Sequence, residues 1–461
     1  MSGNVKKILI IVFVSLVFNA CAPYQGRYLH SPALLPGTMA EMNTPGFWIG
    51  IHENPDEIIL DKDGIEAFNQ AVRESTGMIK DIAQYASSYQ GQWLAETLSA
   101  ALASIMKRDN YSFDGTRADA AFYEHIGKNM DIGAVPEEVK VRFGLVVAYT
   151  HQRILPVRDG LYSKKLNHAF DRLQNSALDI GTPVAILHET RDGRWFYVDA
   201  PLCAGWVLAS DVGICSREQI EHYTSAEPFV VTLSAKADIF LNEESTMHHA
   251  YVRMGSRFVI QPPENKDVVE ILLPVRDMDG MCVFASGFVS RSDIHLGYLP
   301  YTPRSIINQA FKLLNTPYGW GGMFGEQDCS RFIQEIFATA GICFPRNSTQ
   351  QAKVGRLAAF FNNGVSEQDR IRQIIAVAQG GITTMQMKGH IMLYLGSYNG
   401  ELYAIHDMWG YAEPTEKGED LRVVNRVVVT DLSLGRGGSS GTLLGRLVTV
   451  RVVAADPQRH Y

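Results

Sequence analysis

One cysteine stands where its thiol could act as a nucleophile. Cys329 precedes apolar residues at helical spacing, which predicts that it lies in the first turn of a buried helix, with Asp328 as the N-cap. A helix start favours an anion, and the thiolate is the reactive form of cysteine. The Asp328 charge opposes ionisation of the thiol, so this chemistry also needs a histidine.

Two histidines supply that second requirement. His390 opens the run His390–Gly396, which reads as a buried strand, and His406 ends the next strand. A histidine facing a cysteine acts as general base and acid, and a third polar group fixes its tautomer. The two imidazoles share a face only if the connection has odd length or a bulge, because side chains alternate along a strand. With a two-residue Asn399–Gly400 turn and regular pairing, His406 would lie on the opposite face, and Asp407 would be the third polar group instead. We therefore predict an odd loop or a bulge.

The elements around these residues indicate an α+β domain. A helix from 303 to 314, a Gly-rich turn and the helix of Cys329 come first. A long helical insertion at 352–386 follows, which could cover the site. Strands are expected at 390–396, 401–406 and 443–453, and helices followed by a sheet are typical of this class.

The front half of the chain divides into a helical and a β-rich part. Leu94, Leu98, Leu102 and Ile105 form an apolar stripe within a helical pattern that runs from 62 to 130, and such a stripe predicts core packing. Short β-type runs then occupy about 145–298. A Gly-aromatic-Val strand followed by Asp and an apolar residue recurs there after 82 residues, which suggests two copies of one small β-barrel.

The first residues have the composition of an export signal. Lys6 and Lys7 precede an apolar run from Ile8 to Phe18, which is too short to cross a bilayer. Cys21 follows Ala20, as in a bacterial lipoprotein signal in which that cysteine is lipidated; plain secretion is the alternative. We therefore expect an exported, periplasmic protein that is anchored to the membrane by lipid.

The net charge and the cysteine content of the chain argue against some classes of function. The formal net charge of −7 argues against a nucleic-acid-binding surface. Five cysteines follow Cys21, an odd number that suggests at least one free thiol, and Cys203 and Cys215 could pair. No phosphate-binding loop or metal-ligand cluster is apparent, so no cofactor and no metal are expected.

Four short motifs occur in a fixed order across about residues 300–455: PYGWGG, DCSRF, GHIMLYLG and IH. Together they resemble the NlpC-type (NlpC/P60) family of cell-wall cysteine peptidases. The resemblance implies a papain-like domain with Cys329 as nucleophile, His390 as general base and acid, and His406 as the orienting residue. The backbone N–H of Cys329 would then help to hold the tetrahedral oxyanion.

The front half resembles one subgroup of this family, in which SH3-type domains precede the peptidase. That subgroup cleaves peptidoglycan stem peptides between γ-D-Glu and the diamino acid when the N-terminal L-Ala is free. The first SH3-type domain closes one end of its groove, and the Asp before the Cys holds the substrate ammonium. Position 347 is Asn here, where the family usually has Asp or Thr. The resemblance assigns substrate binding to Tyr318, Trp320, Asp328, Ser330, Arg346, Asn347 and Ser348.

The sequence thus predicts a multidomain α+β protein: a papain-like cysteine peptidase preceded by two SH3-like β-barrels and a helical region. The expected partner is the peptide stem of peptidoglycan. One alternative is a cysteine amidase or acyltransferase of the same fold; the other is a non-catalytic wall-binding lipoprotein. The expected boundaries are 1–20 for the signal, 22–144 for the helical region, 145–220 and 221–298 for the barrels, and 299–461 for the peptidase.

Overall fold

A computed structural model of the chain describes residues 32–165, 167–261, 266–416 and 418–454. The described residues from 36 onwards belong to the second of two units, 1–35 and 36–461, into which the chain divides. The expected signal and the lipidation of Cys21 lie outside the described residues. Within the described ranges, no helix has the length and apolar character that a membrane span requires.

Four helices form the front of the second unit. The second of them begins after Asp61, whose carboxylate accepts the N–H of Gly64, and ends at Gly77 in the left-handed conformation. On the third, Leu94, Leu98 and Ile105 are buried, so the predicted stripe does face a core. The four helices are α1 (Pro45–Gly50), α2 (Lys62–Thr76), α3 (Gly91–Met106) and α4 (Ala120–Met130).

The first β-domain is a seven-stranded sheet with the order β5-β4-β8-β7-β6-β3-β9. The short strands β1 (Ser88–Gln90) and β2 (Glu138–Lys140) pair beside it. Trp206 is fully buried in its core. The strands of the sheet are β3 (Arg142–Val146), β4 (Thr150–Arg153), β5 (Gln174–Leu178), β6 (Pro183–Glu189), β7 (Trp195–Asp199), β8 (Ala204–Leu208) and β9 (Val212–Cys215).

The second β-domain follows α5 (Arg217–Ser225) and consists of two sheets, β13-β10-β16 and β12-β11-β15-β14. The segment that recurs after 82 residues adopts the same local structure twice: a strand, a 3-10 turn and a strand. The two domains nevertheless differ in how their strands are divided between sheets. The strands are β10 (Phe229–Thr232), β11 (Lys236–Phe240), β12 (His248–Arg253), β13 (Arg257–Val259), β14 (Val268–Arg276), β15 (Cys282–Ser290) and β16 (Ile294–Leu296).

The C-terminal region is built from helices followed by a six-stranded sheet with the order β17-β22-β18-β19-β20-β21. The α+β prediction is therefore confirmed. The helices are α6 (Pro303–Lys312), α7 (Cys329–Ala338), α8 (Ser348–Gln351), α9 (Glu367–Val377) and α10 (Leu443–Arg446). The strands are β17 (Arg356–Phe360), β18 (Thr383–Met387), β19 (His390–Tyr398), β20 (Glu401–Thr415), β21 (Gly418–Asp431) and β22 (Leu447–Val452).

The prediction that the insertion at 352–386 is helical is wrong in part. Only α9 is helical there, while β17 and β18 belong to the central sheet, and β18 lies between β22 and β19. All five residues of β18 are buried, but Thr383, Thr384 and Gln386 give it no apolar signature. Its burial depends on neighbouring strands that are distant in the sequence.

The predicted candidates for a disulfide, Cys203 and Cys215, are free thiols in this structure. The Cys203 thiol donates to Oε1 of Gln152 at 2.8 Å. The Cys215 thiol lies instead near Cys282, another buried free thiol. Burial, and after it the neighbouring Cys282, raises the pKa of Cys215 to about 12.

Candidate active site

Cys329 is the first residue of α7, as the sequence predicts. Asp328 is the N-cap, and its carboxylate accepts the N–H groups of Ser330 and Arg331. The following apolar residues Phe332, Ile333, Ile336 and Phe337 are all fully buried, which fixes the helix against the sheet. The Cys329 side chain is itself buried, with 7% of the residue exposed.

His390 and His406 share one face of the sheet because of a bulge. Asn399 and Gly400 form a two-residue turn, in which both have positive φ. The register then shifts between Tyr394 and Gly396, so that one extra residue enters β19. The predicted bulge is thereby confirmed, although the turn itself is the short one.

The two imidazoles are directly hydrogen-bonded. Nε2 of His390 lies 2.6 Å from Nδ1 of His406, and Nε2 of His406 lies 2.9 Å from Oγ1 of Thr430. Burial lowers the pKa of His390 to about 4, and burial together with the neighbouring His390 lowers the pKa of His406. Both rings are neutral at pH 7, and Nδ1 of His390 is the nitrogen that remains for a proton-transfer partner.

The sulfur of Cys329 lies beside the same strand. Its thiol interacts with the backbone N–H of Ile391, the residue after His390. Within the described residues, no direct hydrogen bond joins the sulfur to the His390 ring. Burial, then the Asp328 charge, raises the pKa of the Cys329 thiol to about 12. Desolvation thus opposes the thiolate that the start of α7 is expected to favour.

Asp328 is already saturated by protein donors. Arg346 donates from both terminal nitrogens, with Nη2 at 2.7 Å from Oδ2 and Nη1 at 3.1 Å from Oδ1. Gly321 N–H and the Ser330 hydroxyl also donate to it. Although burial opposes ionisation, Arg346 and these donors lower the pKa of Asp328 to about 2. A substrate ammonium at this carboxylate would have to compete with Arg346.

Arg346 also connects the site to the first β-domain, because its Nε donates to Ser176 Oγ at 2.9 Å. Next to it, Asn347 accepts the N–H of Gln350 and thereby caps α8, while Ser348 is buried. The side chain of Asn347 thus has a local structural role that is independent of any ligand.

Aromatic side chains form a wall next to this cluster. Trp409 and Tyr318 are in edge-to-face contact, with centroids 6.1 Å apart. Phe170, from the first β-domain, contacts Trp320 at 5.2 Å and Trp409 at 5.3 Å. The indole N–H of Trp320 donates to the carbonyl of Asp171 at 3.0 Å. This β-domain therefore borders the site at the end formed by Tyr318 and Trp320.

Sequence reasoning missed the partners that the first β-domain contributes. Phe170 and Ser176 contact the site, and Gln174 donates to the carbonyl of Gly321 at 3.0 Å. They lie about 150 residues before Cys329, and no local pattern links them to it. Thr430 was missed as well, since it becomes adjacent to His406 only through the pairing of β20 with β21.

Fold and site together define a multidomain α+β protein in which Cys329 begins a helix and His390 and His406 form a hydrogen-bonded pair. A family model described as the NlpC/P60 family matches residues 315–408, and one described as an SH3 domain of the SH3b1 type matches residues 162–208. Residues 315–408 therefore match the NlpC/P60 family, and residues 162–208 match an SH3-type domain.

The chain is similar to two known proteins at different scales. Over 76 residues the chain is 38% identical to a gamma-D-glutamyl-L-lysine dipeptidyl-peptidase of Bacillus subtilis (strain 168). That match covers 16% of this chain and 26% of the relative, so the chain spans about a quarter of that protein. A solved structure described as a novel NlpC/P60 endopeptidase from Photobacterium damselae subsp. piscicida overlaps 93% of this chain and 100% of its own. The TM-score is 0.73 at 20% identity, which shows a shared fold.

Proposed function

We propose that the chain is a cysteine endopeptidase that hydrolyses peptidoglycan stem peptides between γ-D-Glu and the diamino acid. The observation that supports this most directly is the hydrogen-bonded pair of His390 and His406 beside Cys329 at the start of α7. The name of the Bacillus relative supports the choice of bond. Cleavage would serve turnover or recycling of the cell wall.

In the proposed reaction, His390 acts as a general base because the thiol is not ionised beforehand. The sulfur of Cys329 attacks the amide carbonyl carbon while Nδ1 of His390 takes the thiol proton. The N–H of Cys329, unpaired within the helix by its first-turn position, faces the developing oxyanion. His390 then returns the proton to the leaving amine, and water hydrolyses the thioester.

The substrate is proposed to enter along the aromatic wall, with a free N-terminal L-Ala at the end bordered by Phe170. Tyr318, Trp320, Ser330 and Arg346 surround that end. Asp328 remains the proposed acceptor for the ammonium, although its pairing with Arg346 weakens its attraction for a cation. The closed end would favour short, unblocked stems.

We further propose that the protein is exported and anchored through a lipid on Cys21. Lys6, Lys7 and the apolar run before Ala20 support this interpretation. Metabolic labelling with a fatty acid, compared between the chain and its Cys21→Ser variant, tests it. Labelling that persists in the variant, or its absence from the unmodified chain, argues against the anchor.

Cleavage of L-Ala-γ-D-Glu-diamino acid stems, followed by mass spectrometry, tests the proposed activity. Cys329→Ala should abolish cleavage, while Cys343→Ala, a thiol of the same domain, should retain it. An N-acetylated stem should be cleaved more slowly than the free one. Undiminished cleavage by the Cys329→Ala variant would refute the assignment, and products from a different bond would indicate the amidase or acyltransferase alternative.

A further inference from the structure

A cavity of about 780 Å³ lies apart from the candidate active site. One side is formed by α2, and the others by the chain around Pro300 and the turn at Gly341, which follows α7. Its volume falls in the range of about 300–1,000 Å³ that is typical of small-molecule sites. None of the candidate catalytic residues lines it.

Arg73 provides an unpaired positive charge in this cavity. The side chain is half-buried, and its Nε is buried with no hydrogen-bond partner among the described residues. Within the same part of the chain, no carboxylate lies within ion-pair distance of its guanidinium. Burying a charge without a partner is costly, so an unpaired guanidinium in a concave site points to an anionic ligand.

The wall next to Arg73 is rigid. Asn69, one turn earlier on α2, donates to the carbonyl of Gly341 at 2.8 Å and accepts the N–H of Cys343 at 2.9 Å. These bonds hold α2 and the turn together, so the cavity is preformed. Burial raises the pKa of the Cys343 thiol, while the nearby Arg73 charge lowers it, which places both groups at the same end.

The opposite end of α2 contributes a negative charge. Glu66 lines the cavity seven residues before Arg73, which corresponds to about 10 Å along the helix and to the same face. An extended tripeptide also spans about 10 Å. Apolar side chains, including Ile65, Leu296 and Tyr298, lie between or beside these charges.

We propose that this cavity is a second, non-catalytic site that binds a short peptide, with a peptide carboxylate on Arg73 and its ammonium towards Glu66. The choice of a stem peptide as ligand rests on the proposed function. Occupancy would retain substrate or product beside the peptidase domain without contacting Cys329.

Alkylation of Cys343 reports on occupancy of the cavity. The full chain with Cys329→Ala is treated with iodoacetamide at pH 8.5, and modification of the Cys343 peptide is followed by mass spectrometry. Saturating L-Ala-γ-D-Glu-L-Lys should slow this modification at least tenfold. The same tripeptide with both carboxylates converted to carboxamides should give no protection.

Arg73→Gln should remove the protection, whereas Arg108→Gln, an exposed arginine outside the cavity, should retain it. Equal protection by the amidated peptide or by inorganic phosphate, or no protection at all, would overturn the proposal. The free and the amidated tripeptide are both tested on a chain that retains Arg73. Their comparison therefore remains decisive even if the Arg73→Gln variant fails to fold. If the unmodified chain cleaves the stem peptide but the peptide does not protect Cys343, only the second site is refuted. If the peptide protects Cys343 but is not cleaved, only the proposed function is refuted.

Discussion

At the scale of single residues, the site combines neutral groups that become reactive only together. Cys329, His390 and His406 are all desolvated, and desolvation disfavours the charged form of each. Desolvation therefore disfavours a preformed thiolate–imidazolium pair. Proton transfer has to accompany the attack of sulfur on the substrate.

The pH dependence of hydrolysis should reflect this burial. His390 acts as a base only when unprotonated, and its pKa is about 4, so kcat/KM should fall on the acid side near pH 4. If the imidazole had the pKa of a free histidine, kcat/KM would instead fall at about pH 6.5. Measurement of kcat/KM for a stem peptide from pH 3.5 to 9 distinguishes the two positions, and a limb at pH 6.5 would indicate a solvated imidazole.

Asp407 is a buried acid next to His406 in the sequence. Neither carboxyl oxygen has a hydrogen-bond partner among the described residues, and burial followed by the Asp328 charge raises its pKa well above the usual value. The folded state therefore retains a proton that the unfolded chain loses above about pH 4. Because Asp407 keeps this proton only in the folded state, the free energy of unfolding decreases as pH rises.

Asp407→Asn removes that titration. The variant should gain stability relative to the unmodified chain at pH 7.5, and the gain should shrink towards pH 4. Thermal unfolding of both chains at several pH values measures the difference. A gain that does not change with pH would mean that Asp407 is not protonated in the folded chain.

At the scale of elements, the Gly-rich turn between α6 and α7 is shaped by its contact with the first β-domain. Gly322 has a φ of +86°, and a Cβ there would lie 2.8 Å from the Cβ of Ala177. Gly400 has a similar φ of +83°, but a Cβ on it would meet nothing within 4 Å. The two glycines thus share a backbone conformation and differ in crowding.

Replacing each glycine with alanine separates these effects. Gly400→Ala should cost about 1 kcal/mol from the left-handed conformation alone and leave activity intact. Gly322→Ala should cost a further ~1–3 kcal/mol from overpacking and reduce cleavage, because the turn carries Trp320. Denaturant unfolding and peptide cleavage measure both; equal losses for the two variants would show that the contact with Ala177 is unimportant.

At the scale of the whole molecule, buried charges join both β-domains to α7. Asp179 of the first β-domain pairs with Arg253 of the second at 2.8 Å and with Arg331 of α7 at 2.8 Å. Glu335 of α7 lies 3.0 Å from Arg331 and 3.7 Å from Arg253. The helix that carries Cys329 is thus positioned by both β-domains.

Arg253→Ala should be strongly destabilising, by about 3–5 kcal/mol, because it leaves a buried network with an excess of negative charge. Arg304→Ala, which breaks the exposed pair with Asp56, should be far less destabilising, because solvent screens that pair. Thermal unfolding compares the two variants. Similar small losses would indicate that the network contributes little to the association of the domains.

Local sequence determined the parts of the site that depend on neighbouring residues. The N-cap at Asp328, the amphipathic run after Cys329 and the strand that begins at His390 follow from capping and periodicity, which act over a few residues. Alternation of side chains was enough to predict that either an odd loop or a bulge places His390 and His406 on one face, although not which of the two.

Tertiary structure alone decided the rest. Phe170, Gln174 and Ser176 reach the site only because the first β-domain packs on the Gly-rich turn, and β18 is buried only because β19 and β22 flank it. The protonation of Cys329 and His390 depends on how much water the surrounding side chains exclude. Desolvation and long-range packing are sums over distant residues, so no local pattern encodes them.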